Sequence, residues 1–257
     1  MDKKLDLSKF FIIIPIAGSG RRMGKLGKIF PKSLLKLKKL KIIEFIINIL
    51  IKRKVKNIAF ILGYKAKTII KFLDKIKFKY TYCINKKYKS SGHAYSWYLT
   101  QKHWIKNRKK TLLIHGDIFF NENYLDNIIK AKRKNIIGCK ILNNESYKKE
   151  DIFKIKLNKD KSIKEISKKL NEKESYSEII GINKLSNKMQ YKLFKFMNKE
   201  FKNKSNIKLS WEEMINKFIN ISKQKLYVLE NQNYFWININ TKKDYFIAKN
   251  IAKRIKL

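Results

Sequence analysis

Residues 12–24 read Ile-Ile-Ile-Pro-Ile-Ala-Gly-Ser-Gly-Arg-Arg-Met-Gly, and this stretch decides the fold of the 257-residue chain. An apolar run ends in a glycine-rich turn, and two arginines follow it. Glycine lets a backbone approach an anion closely and adopt positive φ, and backbone N–H groups in such a turn can point at phosphate oxygens. The pattern therefore predicts a buried strand that delivers a turn to a polyphosphate.

Two common phosphate-binding motifs do not fit this turn. A P-loop needs Gly-x-x-x-x-Gly-Lys-Ser/Thr, but Lys25 is followed by Leu26 instead of a hydroxyl residue. A dinucleotide fingerprint needs Gly-x-Gly-x-x-Gly, but Met23 stands where its third glycine should be. A Pro31-Lys32 pair follows the turn, and the combination is more specific than a glycine loop alone.

The turn and the Pro-Lys pair resemble the N-terminal motif of the nucleotidyltransferases that join nucleoside triphosphates to phosphorylated sugars or alcohols. That motif is an apolar strand, Ala-x-Gly-x-Gly-x-Arg-Met/Leu and then Pro-Lys. The matching residues are Ala17, Gly18, Gly20, Arg22, Met23, Pro31 and Lys32. The resemblance extends over roughly residues 11–248. It implies a single α/β domain over residues 1–257, with a Rossmann-like, mostly parallel central sheet flanked by helices and a smaller mixed β region for the acceptor.

The resemblance also implies which residues of the turn act on the nucleotide. Arg22 and Lys32 are expected to be catalytic by neutralising the phosphates, because phosphoryl-type transfer needs positioning and charge stabilisation from the protein. The nucleotide-binding residues of the turn are expected to be Ala17, Gly18, Ser19, Gly20 and Met23. The alternative is an ordinary strand-to-helix turn with solvated cations.

Two further motifs point to a divalent cation. Asp117 follows Gly116 and the predicted strand at residues 111–115, where the family carries a magnesium-binding aspartate, and one or two protein oxygens are enough for Mg²⁺. Asn240 stands where the family has its second ligand, an aspartate or an asparagine. The resemblance therefore implies Mg²⁺ as a cofactor, held by Asp117 and Asn240. The alternatives are that Asp117 is a turn residue and that Asn240 only caps the last helix.

Residues 85–96 resemble two branches of the family at once. Ser91, Gly92 and His93 match the Gly-Thr-Gly-His-Ala segment of N-acetylglucosamine-1-phosphate uridylyltransferases. The Asn-x-x-Tyr and Tyr-Ser patterns of choline-phosphate cytidylyltransferases are present as Asn85, Tyr88, Tyr95 and Ser96. Because this segment faces the base and ribose in both branches, Ser91, Gly92 and His93 are expected to bind nucleotide. CTP or UTP is indicated, and the choice between them stays open.

The acceptor side carries weaker signals. The run Glu178-Ile179-Ile180-Gly181-Ile182 resembles the Glu-x-x-Gly-Ile strand beside the family's acceptor pocket, so Glu178 and Gly181 are expected to bind the acceptor. Trp236 is a candidate floor of the same pocket. The alternatives are an ordinary strand carboxylate at Glu178 and a core-packing tryptophan at Trp236.

The rest of the chain alternates apolar strands with amphipathic helices, which is typical of a parallel sheet covered on both faces. Ligands in such sheets bind at the carboxyl ends of strands. Strands are predicted at residues 11–16, 57–62, 79–84, 111–115, 136–142, 152–157, 162–166, 177–182 and 225–230. Helices are predicted at residues 42–52, 67–73, 94–104, 188–201, 211–218 and 241–255.

The net charge of +42 raises the question of nucleic-acid binding. Six of the 62 basic residues are arginines, and the lysines are spread along the whole chain. Because arginine is the better bidentate reader of phosphate and guanine, no specific nucleic-acid partner is predicted, and the alternatives are non-specific binding at low salt or an RNA-binding protein. No signal segment or membrane insertion is predicted, and two unclustered cysteines indicate a cytoplasmic location.

The expected activity is the Mg²⁺-dependent joining of a nucleoside triphosphate to a phosphorylated small molecule, with release of pyrophosphate. A sugar 1-phosphate is the expected acceptor, and choline phosphate or another phospho-alcohol is the alternative. The resemblance also implies a role in cell-surface polysaccharide biosynthesis and is compatible with a homo-oligomer. A non-catalytic nucleotide sensor stays open as a different class of function.

Overall fold

The central strands form where the sequence has short, fully apolar runs. A computed structural model of the protein describes residues 5–142, 152–231 and 234–255. The strands are β1 (Phe10–Ile16), β2 (Lys36–Leu37), β3 (Leu40–Lys41), β4 (Ile58–Leu62), β5 (Thr81–Ile84), β6 (Lys110–Ile114), β7 (Ile118–Phe120), β8 (Ile136–Ile141), β9 (Lys154–Leu157), β10 (Ile163–Ser167), β11 (Ser177–Leu185), β12 (Tyr227–Glu230) and β13 (Trp236–Asn238).

Amphipathic segments between these strands form the helices. They are α1 (Lys25–Ile29), α2 (Ile42–Lys52), α3 (Ala66–Leu73), α4 (His93–Tyr98), α5 (Gln101–Asn107), α6 (Glu122–Lys130), α7 (Asn187–Glu200), α8 (Trp211–Ser222) and α9 (Lys242–Arg254). Within the described residues, no helix has the length and apolar character needed to cross a bilayer.

In the described parts of the chain, one nine-stranded sheet has the order β10-β9-β11-β6-β1-β4-β5, and β8 and β12 continue it beside β11. The central strands β6, β1, β4 and β5 run parallel to one another. Strand β11 runs antiparallel to β6, β8 and β9. The predicted α/β fold, with a parallel centre and a smaller mixed region, is confirmed.

Helices cover both faces of the sheet because side chains alternate along each strand. Ile12 and Ile14 of β1 belong to the core on one face, together with residues of α2, α3, α6 and α9. Phe11 and Ile13 belong to the core on the other face, together with residues of α4, α5, α7 and α8. Apolar burial on both faces is the main favourable contribution to the stability of such a sheet.

The predicted helix over residues 94–104 is two helices, α4 and α5. Both the backbone N–H and the hydroxyl of Thr100 donate to the carbonyl of Trp97, at 2.9 and 2.7 Å. These bonds tighten the chain into a turn shorter than an α-helical one and end α4. The helical type was predicted correctly here, but not the break.

Arg53, just after α2, ties that helix to α6. Its guanidinium donates to both carboxylate oxygens of Asp126, at 2.7 and 2.8 Å, and to Glu122 at 2.9 Å. It also donates to the carbonyl of Ile49 at 3.0 Å and is only 6 % exposed. Burial opposes the charge, but the two carboxylates raise the pKa of Arg53 above its ordinary value.

Candidate active site

The carboxyl ends of the four parallel strands β6, β1, β4 and β5 meet at one edge of the sheet. The backbone N–H of Tyr64, after β4, donates to the carbonyl of Ala17, after β1, at 3.0 Å. The N–H of Gly116, after β6, donates to Pro15 at 3.3 Å. The segments that leave the sheet at this edge are 17–24, 63–65, 85–92 and 115–117.

The glycine turn has the backbone conformation that its sequence predicts. Gly20 has φ +62° and Gly24 has φ +58°, which is a region that other residues rarely adopt. Between them, residues Arg21–Met23 form one turn of 3₁₀-helix in which Arg22 is exposed. Met23 has no exposed surface and packs into the core, so it supports the turn from below.

Gly18 lies at the open side of this turn. It is exposed, its φ is not positive, and a Cβ placed on it would meet no protein atom within 4 Å. The protein's own packing therefore does not require glycine here, and a ligand can approach the backbone directly. Ser19 follows it and is half-buried, whereas Ala17 is buried at the strand end.

Lys32 joins the turn to both predicted metal ligands. Its ammonium lies 2.5 Å from Oδ2 of Asp117 and 3.1 Å from Oδ1 of Asn240. Its Cβ lies 3.6 Å from where a Cβ of Gly20 would be. The structure thus gathers three residues that are far apart in the sequence into one cluster beside the turn, which we call the lysine–aspartate–asparagine cluster.

A pair of short strands places Asn240 next to Asp117. Strand β7 begins directly after Asp117, and β13 ends shortly before Asn240; the two strands pair antiparallel, with Ile118 opposite Asn238. The backbone N–H of Ile239 then donates to the carbonyl of Asp117 at 2.8 Å. Neither strand was predicted from the sequence, because each is only three residues long.

Asn240 does not cap the last helix, as one alternative supposed. The cap of α9 is Thr241, whose hydroxyl accepts from the N–H of Asp244 while the Asp244 carboxylate accepts from the N–H of Thr241. That carboxylate also accepts from the N–H of Asn240 at 3.0 Å. Asp244 therefore orders the backbone of the loop, and the Asn240 side chain remains directed to Lys32.

The charges in the cluster favour an ionised aspartate. Burial disfavours the Asp117 carboxylate, but the Lys32 ammonium, together with the neighbouring His115 and His93, holds the pKa of Asp117 below its ordinary value. A carboxylate oxygen and an amide oxygen on one cation are hard donors of the kind that Mg²⁺ prefers. The donor set therefore fits Mg²⁺.

The predicted base segment is organised by Asn85. This residue is 1 % exposed, and its amide donates to the hydroxyls of Ser91 and Ser96, each at 2.9 Å. Gly92 lies against the chain before α8, where a Cβ would come within 1.9 Å of the carbonyl of Leu209. Packing therefore explains this glycine without a ligand.

His93 begins α4 and is exposed at the same edge of the sheet as the cluster. Electrostatic interaction with His93 is one of the smaller causes that lower the pKa of His115 and of Asp117, so the residue lies near both of them. The structure therefore brings the base segment and the lysine–aspartate–asparagine cluster to one cleft.

The predicted acceptor residues lie on two different strands. Gly181 of β11 has φ +78°, and a Cβ there would come within 2.8 Å of the ring of His115. Glu178 is 6 % exposed on the same strand. Trp236 of β13 pairs with Phe120 and is partly buried against the core. Neither Glu178 nor Trp236 takes part in the described contacts of Lys32.

The structure adds two side chains that sequence reasoning did not assign to the site. Burial lowers the pKa of His115, whereas the neighbouring carboxylates of Asp117 and Glu212 act in the opposite direction. Glu212 lies in the first turn of α8 and is 8 % exposed. Its sequence surroundings are those of an ordinary helix start, so only the fold reveals that it lies near the cleft.

Comparison with known proteins identifies relatives that act on nucleotides and phosphates. One is a Methanocaldococcus jannaschii protein assigned as a UTP–glucose-1-phosphate uridylyltransferase, 25% identical over 167 residues. The match covers 55% of this chain and 56% of that protein, so the chain spans about half the length of the curated relative it matches.

Two solved structures share the fold. The CTP:phosphocholine cytidylyltransferase of Streptococcus pneumoniae has a TM-score of 0.72 and 20% identity, covering 95% of this chain and 99% of that one. The inositol-1-phosphate CTP transferase of T. maritima has a TM-score of 0.78 and 16% identity, covering 97% and 98%. At these identities the likeness concerns the fold alone.

The comparison with family models shows the family as well as the fold. The model of the family described as nucleotidyl transferase matches residues 12–254, which include the glycine turn and every member of the lysine–aspartate–asparagine cluster. The chain therefore belongs to the nucleotidyl transferase family.

Proposed function

We propose that this protein transfers a nucleotidyl group from a nucleoside triphosphate to the phosphate of a small phosphorylated molecule and releases pyrophosphate. The observation that supports this most is the contact of Lys32 with both Asp117 and Asn240 beside the open backbone of Gly18. A cation, two oxygen donors and an accessible turn at one sheet edge form a set suited to a metal-bound triphosphate.

The turn and the cations have separate tasks in this proposal. Backbone N–H groups near Gly18 and Gly20 hold the triphosphate, and Arg22 and Lys32 stabilise the negative charge on the transferring and leaving phosphates. An oxygen of the acceptor phosphate attacks the α-phosphorus, the bond from that phosphorus to the β-phosphate oxygen breaks, and pyrophosphate leaves. No general base is needed, because the acceptor phosphate is already ionised.

Asp117 and Asn240 are the residues that would hold Mg²⁺. The ion, when bound, would neutralise phosphate charge and help to orient the leaving group. Asparagine carries no charge, so the protein supplies one negative charge to the ion, and the triphosphate supplies the rest. We expect EDTA to abolish activity and Mg²⁺ to restore it.

The base and acceptor are proposed from the residues around the cleft. Ser91, Gly92 and His93 are proposed to face the base, with CTP or UTP as the nucleotide. A sugar 1-phosphate is the first candidate acceptor, as in the M. jannaschii relative. Choline phosphate is the second candidate, favoured by the way buried Asn85 holds Ser91 and Ser96. The S. pneumoniae structure carries that substrate in its name.

The compartment is part of the proposal as well. Cys83 and Cys139 are both free and buried, as is common for proteins of reducing compartments. We propose a cytoplasmic enzyme whose product supplies an activated building block, as for cell-surface polysaccharides.

Pyrophosphate release tests the proposed function. The purified protein is incubated with each of the four ribonucleoside triphosphates and a panel of sugar 1-phosphates and phospho-alcohols, with Mg²⁺ or with EDTA. We expect release that needs one triphosphate, one acceptor and Mg²⁺ together. Release without any acceptor, or binding of a triphosphate without turnover for any acceptor, would contradict the proposal and favour a hydrolase or a nucleotide sensor.

A further inference from the structure

Glu212 is a largely buried residue whose carboxylate has no hydrogen-bond or ion-pair partner among the residues that the structure describes. The residue is 8 % exposed, and in the portions of the chain that the structure describes, no group donates a hydrogen bond to it and no lysine or arginine forms an ion pair with it. Glu200, whose side chain is 12 % exposed, pairs instead with Lys217. A buried carboxylate without a partner is costly.

The number of cations in the chain makes this lack of a partner notable. The protein has 62 lysines and arginines, yet none of those in the described residues forms an ion pair with Glu212. The next residue, Glu213, is fully used as a cap: its carboxylate accepts from the N–H of Ser210 at 2.7 Å. Glu213 therefore has a role in capping the helix, and Glu212 takes no part in that cap.

Helix α8 is fixed against the predicted base segment. The N–H of Gly92 donates to the carbonyl of Ile207 at 2.8 Å, and the rings of Trp97 and Trp211 lie 5.1 Å apart, edge to face. Glu212 is the next residue after this tryptophan. The start of α8, and Glu212 with it, is therefore held beside α4, whose first residue faces the cleft.

Glu212 is also close to the floor of the cleft. Burial lowers the pKa of His115 and the nearby Glu212 carboxylate acts against that shift, so Glu212 lies close to this ring, which sits under Gly181 two residues before Asp117. The cleft in the proposed function takes two phosphorylated substrates. A carboxylate there would repel both phosphates, so it is useful only if it faces a positively charged part of one of them.

We propose that Glu212 is a specificity-determining residue that binds a positively charged ammonium group of the acceptor, at the end remote from the acceptor's phosphate. This rests on the proposed function and narrows its acceptor to phosphorylated amino alcohols. Primary and quaternary ammonium groups share the charge that Glu212 recognises, and ethanolamine phosphate and choline phosphate distinguish them experimentally. A sugar 1-phosphate offers only neutral hydroxyls and gains less from a carboxylate.

The test compares Glu212→Gln with Glu213→Gln. Both remove one carboxylate at neighbouring positions, and glutamine can keep the capping interaction with Ser210. Kinetics are measured with choline phosphate, ethanolamine phosphate and glucose 1-phosphate, each with CTP and with UTP, and calorimetry measures binding of choline phosphate to the protein.

We expect the native protein to prefer an ammonium acceptor. Glu212→Gln should raise the KM and the calorimetric Kd for that acceptor by roughly 10- to 100-fold, the usual worth of a charged hydrogen bond, with little change in kcat or in turnover of glucose 1-phosphate. Glu213→Gln should behave like the native protein.

Three results would overturn the inference. A native preference for the neutral sugar phosphate would exclude an ammonium acceptor while leaving the proposed function intact. An equal loss with all acceptors in Glu212→Gln would show that the residue only supports the fold. No pyrophosphate release from any substrate pair would contradict the proposed function itself, and the inference with it.

Discussion

At the scale of single residues, Lys32 is the most informative side chain in the molecule. Its side chain is 15 % exposed and the side chain of Asp117 is 28 % exposed, so the pair lies at a boundary that solvent and ligand can reach. A lysine ammonium is a compact point charge that can donate in three directions. It can thus contact two protein oxygens and still move toward a phosphate.

Replacing Lys32 by alanine should remove activity without unfolding the protein. We expect kcat to fall by about 10²- to 10³-fold, the usual effect of losing one group that stabilises transition-state charge. The melting temperature should change little, because the partly exposed Asp117 can be hydrated. Pyrophosphate release and thermal unfolding measure the two effects.

Lys225→Ala is the matched control for this prediction. Lys225 also pairs with an aspartate, Asp160, at 2.7 Å, but both side chains are exposed and neither belongs to the lysine–aspartate–asparagine cluster. This variant should keep full activity. Equal activity of Lys32→Ala and Lys225→Ala would show that Lys32 has no role in the reaction.

Local motifs single out candidate site residues, but they do not show why each residue type is needed at its position. Lys32 and Asp117 are found from motifs, and the structure brings them together. Gly92 also belongs to a motif, but its close approach to Leu209 explains it by packing alone. Glu212 belongs to no motif, and its position depends on how α8 packs on α4. Contacts between distant segments of this kind are not encoded in local patterns.

At the scale of elements, the pairing of β7 with β13 is the feature that could not be predicted from the sequence. The long apolar strands and the amphipathic α2 are predictable because hydrophobic periodicity is clear over such lengths. A three-residue strand has no measurable period, and its partner lies more than a hundred residues away. Yet this pair sets Asn240 beside Asp117, so the geometry of the site depends on the least predictable elements.

The hydrogen bonds and ion pairs between Arg53 and the two carboxylates of α6 should contribute strongly to stability. Arg53→Met removes a bidentate contact with Asp126 and leaves two partly exposed carboxylates behind. We expect the free energy of unfolding to fall by about 2–4 kcal/mol, since the contact is made by a buried guanidinium even though the carboxylates are partly exposed. Arg53→Lys should recover only part of this, because an ammonium cannot reproduce the planar fork.

Urea denaturation measures this prediction, with Arg254→Met as the control. Arg254 is exposed in the last turn of α9, so its replacement should change stability by no more than about 0.5 kcal/mol. If Arg53→Met were as stable as Arg254→Met, the contacts of Arg53 with α6 would not support the packing of α2 against α6.

At the scale of the whole molecule, the net charge of +42 dominates long-range behaviour. A uniformly lysine-rich surface attracts polyanions without reading their sequence, because phosphate contacts position a nucleic acid but do not specify its bases. The charge also raises the local concentration of anionic substrates around the cleft. We therefore expect the charge to affect encounter rates without defining a specific nucleic-acid site.

Binding to nucleic acid should be weak, independent of sequence and strongly dependent on salt. We expect the affinity for unrelated single-stranded 20-mers to be similar and to fall by about 10²-fold or more between about 50 and 200 mM salt, as counterion release predicts. Fluorescence anisotropy measures both properties. One sequence that stays tightly bound at physiological salt would favour the RNA-binding alternative.

The most direct test of the central claim is a crystal structure with Mn²⁺ and the α,β-methylene analogue of CTP or UTP, recorded at the manganese absorption edge. The account predicts an anomalous peak in contact with Oδ2 of Asp117 and Oδ1 of Asn240, with the triphosphate along the turn that begins at Gly18. A bound nucleotide whose manganese touches neither residue, or whose phosphates lie away from that turn, would contradict it.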